Sequence, residues 1–285
     1  MRILNPHNLP EVLVRAVTGD YDRTPKENRM SVTDLINPPM MRHFKLKHWD
    51  ELVENVDDLA WSLFGKAFHD LMDRYAPDPA QSEYKLEYYV EPYTLVGQPD
   101  VHSGGVLDDY KVTSCYSFIL GDQKSWENQL NVYAWLLGKH NIPINRIRII
   151  AILRDWQKQK AIQPDYPNSP FHVVEVPLWT EERAAEYIKE RIRMHQELLE
   201  CTPEDKWQKE TTWAVVKPGA HRATRVLETK EQAIEFINKS TPATHRDALY
   251  IEERPGEKSR CKFYCPARKV CVYNKEEVKE DGESS

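Results

Sequence analysis

A chain of 285 residues with 40% hydrophobic and 29% charged content suits one large domain, or one domain with a smaller appendage, and is too apolar to be disordered. Its net charge of −6 argues against a protein coated in nucleic acid, yet it allows a carboxylate metal site beside one basic groove. No apolar run approaches the ~18 residues of a membrane span, and residues 1–15 hold charges and prolines in place of an apolar leader. The expected compartment is therefore cytoplasmic, without membrane contact, and the five cysteines read as thiols or metal ligands rather than a disulfide framework.

In chain order, Ser31-Val-Thr-Asp34 opens a short helix that Pro38 and Pro39 end. Leu52, Val56, Leu59, Leu63, Phe64, Ala67, Phe68, Leu71 and Tyr75 recur at helical spacing and predict a helix over the whole stretch. Three strands are expected at Tyr84–Val90, Tyr93–Asp100 and Val106–Thr113, with Gly104-Gly105 as a hairpin turn between the last two. Ser125 caps a helix to about Leu137. Arg146–Arg154 and Val173–Leu178 are strands, and Thr180–Leu199 is a long amphipathic helix with Glu181 and Glu182 in its first turn.

The order predicts an α/β domain over residues 1–200, a mixed central sheet flanked by helices. Residues 201–274 form a small α+β appendage, with strands at Trp213–Val216, Thr224–Leu227 and Ala248–Glu252 and a helix at Lys230–Asn238. Residues 275–285 are a charged tail, expected to be disordered.

The chemistry gathers around Pro99-Asp100 and Asp109-Tyr110-Lys111. Alternate strand residues share a face, so Asp109 and Lys111 point one way and Asp108 and Tyr110 the other. The hairpin sets Asp100 beside Asp109. Two carboxylates suffice for a hard divalent cation, which keeps several waters. Lys111 is placed to orient water or to stabilise transition-state charge. A bare Asp-x-Lys is ordinarily a solvated pair; here Val106-Leu107 precedes it on a strand in mid-core, where charge is costly unless paired or metal-bound. On helices, Gly65 shares a face with His69, and Gln129 with Tyr133. Gly65 would permit close approach of a strand or DNA. A neutral His69 suits a metal or a satisfied core. Gln129 and Tyr133 suit a phosphate, the fixing of Lys111, or plain packing.

In combination, Gly65-x-x-x-His69, Gly97-x-Pro-Asp100, Asp109-Tyr-Lys111 and Gln129-x-x-x-Tyr133 resemble the PD-(D/E)xK nuclease superfamily, in its RecB-like, phage-type exonuclease branch. The resemblance spans roughly Ser31 to Leu199. It implies a restriction-endonuclease-like core and Mg²⁺- or Mn²⁺-dependent hydrolysis of DNA phosphodiester bonds. Its implied metal ligands are His69, Asp100, Asp109 and the backbone carbonyl of Tyr110. Lys111 is its catalytic lysine, and Gln129 and Tyr133 bind DNA or organise the site. The setting it implies is recombination, repair or phage DNA processing in a bacterial or phage-infected cell, with a recombination or helicase protein as a further partner; no oligomeric state follows.

Cys261-x₃-Cys265-x₅-Cys271, with Cys201 at the end of the long helix, makes a four-thiolate set that suits a [4Fe–4S] cluster or zinc. The C-terminal run resembles that of iron–sulfur nucleases. Those proteins often carry a further cysteine after the opening helix, where Asn37-Pro38-Pro39 stands here. Cys115 reads as a core cysteine.

Arg154-Asp-Trp156-Gln-Lys158-Gln-Lys160 is a basic loop with an aromatic residue, suited to phosphates and a stacked base. Lys217, His221, Arg222 and Arg225 form a second basic patch. Two other functions fit the same residues: a catalytically silent DNA-binding or assembly subunit, and a metallohydrolase of a small phosphoester.

Overall fold

The computed structural model describes residues 1–19, 24–76, 84–120, 123–220, 222–240 and 249–274. His221, Ala248 and the tail from residue 275 lie outside them. The chain divides into two compact units, Met1–Glu200 and Cys201–Ser285.

In the first unit, β1 (Arg2–Leu4) pairs in parallel with β3 (Val53–Asn55), and α1 (Glu11–Thr18) follows β1. The strand β2 (Arg29–Ser31) leads into α2 (Val32–Ile36). Ser31 caps α2, its Oγ accepting from the Asp34 amide at 2.9 Å, as its sequence position predicts. Pro39 does not stop the chain's helices. It sits at the first position of a further helix, α3 (Pro39–Lys47), where the missing N–H is harmless and φ is already set.

The predicted helix from Leu52 is shorter at its start. Val53–Asn55 is claimed by β1, a 3₁₀ turn covers Val56–Leu59, and α4 runs Ala60–Arg74. No described residue of α4 is buried, so its apolar repeat lies over the sheet at one end and at the surface at the other.

Next come β4 (Leu86–Val90), β5 (Tyr93–Gly97), β6 (Val101–Ser103) and β7 (Val106–Thr113). The expected single strand Tyr93–Asp100 is broken, because Pro99 has no N–H for a ladder. The expected single sheet is accordingly two: β2-β5-β4, and β6-β7-β8-β9 with β8 (Arg146–Leu153) and β9 (Phe171–Val176). In the second sheet β7 and β8 are parallel and the outer pairings antiparallel. Gly104 and Gly105 have φ of 56° and 78°, the left-handed backbone of a two-residue hairpin turn.

A short helix, α5 (Cys115–Leu120), follows β7; the sequence showed no periodicity for it. The helix α6 (Gln123–Lys139) is under way before Ser125, which is therefore not its cap. It packs on β4, β7 and β8 and against α2 and α7 (Glu181–Gln196). Thr180 caps α7 through the Arg183 amide at 3.2 Å. Leu107, Leu130, Leu136, Leu137, Ile147, Ile149 and Ile188 form the centre of the core.

One long-range clamp closes this core. Arg191 on α7 donates to the carbonyls of Leu35 (2.9 Å) and Asn37 (2.5 Å), and His195 shares the Leu35 carbonyl at 3.2 Å. These are the carbonyls that the end of α2 leaves without helical partners.

In the second unit, β10 (Thr212–Val216) lies between β11 (Arg225–Leu227) and β12 (Tyr250–Arg254), both antiparallel to it. The helix α8 (Lys230–Ser240) packs on all three strands. Gly256 lies against the Lys209 carbonyl, where a Cβ would come within 1.6 Å.

His195 yields a test of the clamp. Burial holds its imidazole down at about 4, against 6.5 for the ordinary group. Its contribution to stability is complete above pH 6.5 and is lost as pH falls through about 4, because the unfolded histidine takes up a proton first. The melting temperature of the wild type should fall more steeply across that window than that of His195→Gln, which cannot titrate. Parallel profiles would mean that His195 is not buried neutral.

Candidate active site

The site stands where β6 ends beside β7. Leu107, Asp109 and Lys111 alternate onto the face of β7 that α6 covers, and this is why Asp109 is only 2% exposed. Asp108 and Tyr110 take the other face. Asp108 holds Arg148 with two bonds of 2.6 Å. Tyr110 packs edge-on against Phe68 and His69 of α4, at 5.8 and 6.0 Å between ring centres.

Asp100 lies between these faces, in the break that Pro99 makes. Val101 pairs with Asp108, so Asp100 comes level with Asp109. Its Oδ2 accepts from the Tyr110 amide at 2.6 Å, replacing a ladder carbonyl that β6 is too short to supply. Its Oδ1 lies 3.3 Å from His69 Nδ1. That contact raises the His69 pKa, against the effect of burial.

Lys111 Nζ is 2.7 Å from Asp109 Oδ2, yet that oxygen has no aligned hydrogen-bond donor. The contact is thus an ion pair by charge and distance, with the oxygen's lone pairs still unclaimed. Burial pushes the Asp109 carboxyl up to about 6, with Lys111 opposing it. Lys111 also donates to Gln129 Oε1 at 3.0 Å, and Gln129 Nε2 donates to Tyr133 Oη at 3.3 Å. Both ends of the Gln129 amide are therefore engaged within the protein, and Tyr133 is 7% exposed. Of the roles open to this pair, the geometry is that of fixing Lys111; a buried Tyr133 has no surface to offer DNA. Burial also raises the Tyr133 pKa, so its hydroxyl stays protonated.

Asp100, Asp109, Lys111, Gln129 and Tyr133 thus come together, with His69 and Tyr110 at the α4 side. A small cleft there is lined by His69, Met72, Asp73, Asp100 and Tyr110. Among the described residues, no three His, Cys, Asp or Glu side chains are disposed to hold a metal ion as they stand. Of the expected ligands His69, Asp100 and Asp109, the His69 ring here faces the Asp100 carboxylate. A two-carboxylate site for Mg²⁺ or Mn²⁺ remains chemically suited, since Mg²⁺ uses one or two carboxylates with waters and substrate phosphates rather than an all-protein cage. The unclaimed buried oxygen of Asp109 is the observation that fits it.

No strand approaches Gly65 closely, since a Cβ there would meet no atom within 4 Å. At Gly97 the neighbours are close: a Cβ would lie 2.7 Å from Leu136 Cδ1 and 3.0 Å from Tyr133 Cε1. Its bare backbone lets α6 seat Tyr133 and, through it, Gln129.

Arg154, Lys158 and Lys160 are exposed in the loop after β8. Trp156, the loop's own aromatic residue, is held by the Pro167 carbonyl at 2.7 Å. The Arg154 guanidinium lies instead over Trp61 of α4, 4.4 Å from the ring centre, a partner 93 positions away with no local signal in the sequence. Cys115 is buried as expected, 3.3 Å from Tyr166 Oη.

In the second unit, the Arg260 amide donates to the Lys206 carbonyl at 3.1 Å and its guanidinium lies over Trp207 at 4.8 Å. These contacts draw Cys261 toward Cys201. Burial raises the Cys201 thiol to about 12, with Asp205 and then Cys261, Cys265 and Cys271 adding to it. The four thiols thus act on one another electrostatically within the second unit, although no three of them stand in a metal-holding arrangement.

No protein-family model and no curated protein matches the chain. It is similar to the solved structure of a protein named SSO0001, over 69% of this chain and 89% of that one, with 17% identity and a TM-score of 0.50. That likeness is one of fold. Two further solved structures overlap less. A candidate exonuclease from Eubacterium rectale matches 61% of this chain and 71% of its own, at 11% identity and a TM-score of 0.31. A phage-related exonuclease from Haemophilus somnus 129PT matches 65% and 77%, at 11% identity and 0.30. Overlaps of that size carry no argument about fold or activity. Among the described residues no helix is long and apolar enough to cross a membrane.

The seat of Tyr133 is testable. Gly97→Ala should overpack a closed contact and cost about 1–3 kcal/mol, which lowers the melting temperature by about 2–10 °C for a domain of this size. A wild-type melting curve would show that α6 does not rest on Gly97.

Proposed function

We propose that the first unit is a metal-dependent nuclease that hydrolyses DNA phosphodiester bonds, acting as an exonuclease in recombination, repair or phage DNA processing. The observation that carries this reading is the convergence of Asp100, Asp109 and Lys111, with one carboxylate oxygen of Asp109 buried and out of hydrogen-bond alignment with the ammonium beside it. Such an arrangement is costly in a purely structural role. It supports a cation-holding one, and the four-motif resemblance supports the choice of DNA.

In this reading Asp100 and Asp109 hold Mg²⁺ or Mn²⁺, joined by the Tyr110 carbonyl and His69 if the ring turns from Asp100. The cation would supply Lewis acidity at a phosphoryl oxygen and a ready source of nucleophile at neutral pH. Lys111, steered by Gln129, places its ammonium beside the reacting phosphate and stabilises the charge that develops there. Tyr133 keeps Gln129 in line. Asp108 and Arg148, on the opposite face, hold the strand and take no part in the chemistry.

Linear and closed-circular DNA incubated with Mg²⁺, Mn²⁺ or EDTA test the reading. Wild type should degrade linear DNA with metal only. Asp109→Ala should be inactive, and Lys111→Ala should lose cutting by at least about 100-fold, the scale of a lost electrostatic stabiliser, while still binding DNA. Full activity in Lys111→Ala would remove the lysine from the mechanism. Binding without digestion under every condition would make the chain a DNA-binding or assembly subunit instead.

For the second unit we propose that Cys201, Cys261, Cys265 and Cys271 hold a structural [4Fe–4S] cluster or zinc. Their mutual proximity and the small core of that unit support it, since a four-thiolate centre ties a small domain together. Cys265→Ser should lower metal content and melting temperature together. Wild-type values for both would end the idea.

A further inference from the structure

Trp61 stands out on the surface of the first unit. It is 60% exposed, and Phe64, whose ring centre is 5.7 Å away, is 57% exposed. Large aromatic side chains at the surface point to a contact, and here two features say with what. The first is charge. The Arg154 guanidinium lies over the indole, 4.4 Å from the ring centre, which sets a cation beside it. Lys158 and Lys160 follow in the same exposed loop.

The second is continuity with the candidate active site. Trp61, Gly65 and His69 are four residues apart and share one face of α4. Phe68 and His69 turn that face onto Tyr110, and His69 reaches the site through Asp100, 3.3 Å away. Between the indole and His69 lies Gly65, where a side chain would meet no atom within 4 Å. The lane from Trp61 to His69 is therefore open. Eight residues of helix give it a length of about 12 Å at ~1.5 Å per residue.

The sheet gives the same length from the other side. Lys111 pairs with Ala151 of β8, and Arg154 begins just past the end of that strand, its amide bonded to the Thr113 carbonyl at 2.9 Å. Three strand residues carry the chain about 10 Å. Two independent elements thus bring an aromatic ring and a guanidinium to one point. That point is roughly three base steps from the carboxylates, taking ~3.4 Å per stacked base.

We propose that Trp61 and Arg154 form a base-stacking platform that grips an unpaired stretch of the DNA strand about three nucleotides from the scissile phosphate. Trp61 takes a base face and Arg154 the neighbouring backbone phosphate. Both are positioning residues. The occupant is a strand with unpaired bases, since bases in an intact duplex keep their faces stacked on each other. The location of the scissile phosphate rests on the nuclease reading; the platform's grip on the strand is measured without cutting.

The experiment is fluorescence anisotropy of fluorescein-labelled oligothymidylate in EDTA, with the full chain as wild type, Trp61→Ala, Trp61→Phe, Arg154→Ala and Arg146→Ala. Trp61→Ala should weaken binding about 5- to 100-fold, the range of one base–aromatic stack, with the wild-type melting temperature of an exposed position. Trp61→Phe should keep most of the affinity. Arg154→Ala should flatten the salt dependence by about 0.7, one phosphate on a single strand. An oligonucleotide of abasic sites should weaken the wild type but leave Trp61→Ala no worse. Arg146→Ala, at the far end of β8 from Arg154, should bind as wild type.

Unchanged affinity in Trp61→Ala overturns the platform, even where linear DNA is cut. The reverse result, loss of binding in Trp61→Ala by a protein that cuts no DNA at all, overturns the nuclease reading and leaves the platform standing.

Discussion

A carboxylate that is 2% exposed has to be answered for by its surroundings, and Asp109 is such a group. Burial drives its carboxyl toward protonation, and with the neighbouring charges included it stands at about 6. What opposes this is one ammonium, that of Lys111. The ammonium is in turn steered by Gln129, Gln129 by Tyr133, and Tyr133 by the space that Gly97 leaves. Each link is an ordinary contact. Their order matters, because breaking a buried ion pair by removing one partner costs about 3–5 kcal/mol, far more than the contact itself contributes.

The same strand serves two faces at once. On one it carries Asp109 and Lys111 under α6; on the other it carries Tyr110 against α4, and Asp108 bound twice to Arg148. The neutralised Asp108–Arg148 pair lets a strand with four consecutive polar or charged residues, Asp108 to Lys111, sit in the middle of a sheet. Pro99 then does at the strand edge what no backbone carbonyl could. By ending the ladder early it brings in a carboxylate, that of Asp100, as the acceptor for the Tyr110 amide. A functional group is positioned by a structural defect, which makes its placement as firm as the strand.

Local signals were the legible ones. The two-residue alternation of β7, the Gly104-Gly105 turn and the helix starts at Ser31 and Thr180 all appear where their side-chain chemistry demands, whereas Ser125 lies inside α6 instead of capping it. The pairing of Asp100 with Asp109 followed from the turn alone. What was hidden depends on distant partners. Leu52 and Val56 keep helical spacing, but Val53–Asn55 is taken by Arg2–Leu4, some fifty residues earlier. Pro39 reads equally as a stop or a start, and only the chain beyond it decides. Gln129 and Tyr133 looked as fit for phosphate as for Lys111 until burial chose between them. The four cysteines were readable as a group, but their disposition was not.

The clamp of Arg191 and His195 on the carbonyls of Leu35 and Asn37 spans more than 150 residues of chain. During synthesis the amino-terminal helices emerge long before α7 exists to receive them. At ~5–20 residues per second, α2 waits on the order of ten seconds with its last carbonyls facing water and its apolar side, Val32 and Leu35, without cover. The first unit is therefore a late-closing body on the ribosome. Its vulnerable interval to chaperones and proteases is set by the position of one helix in the gene.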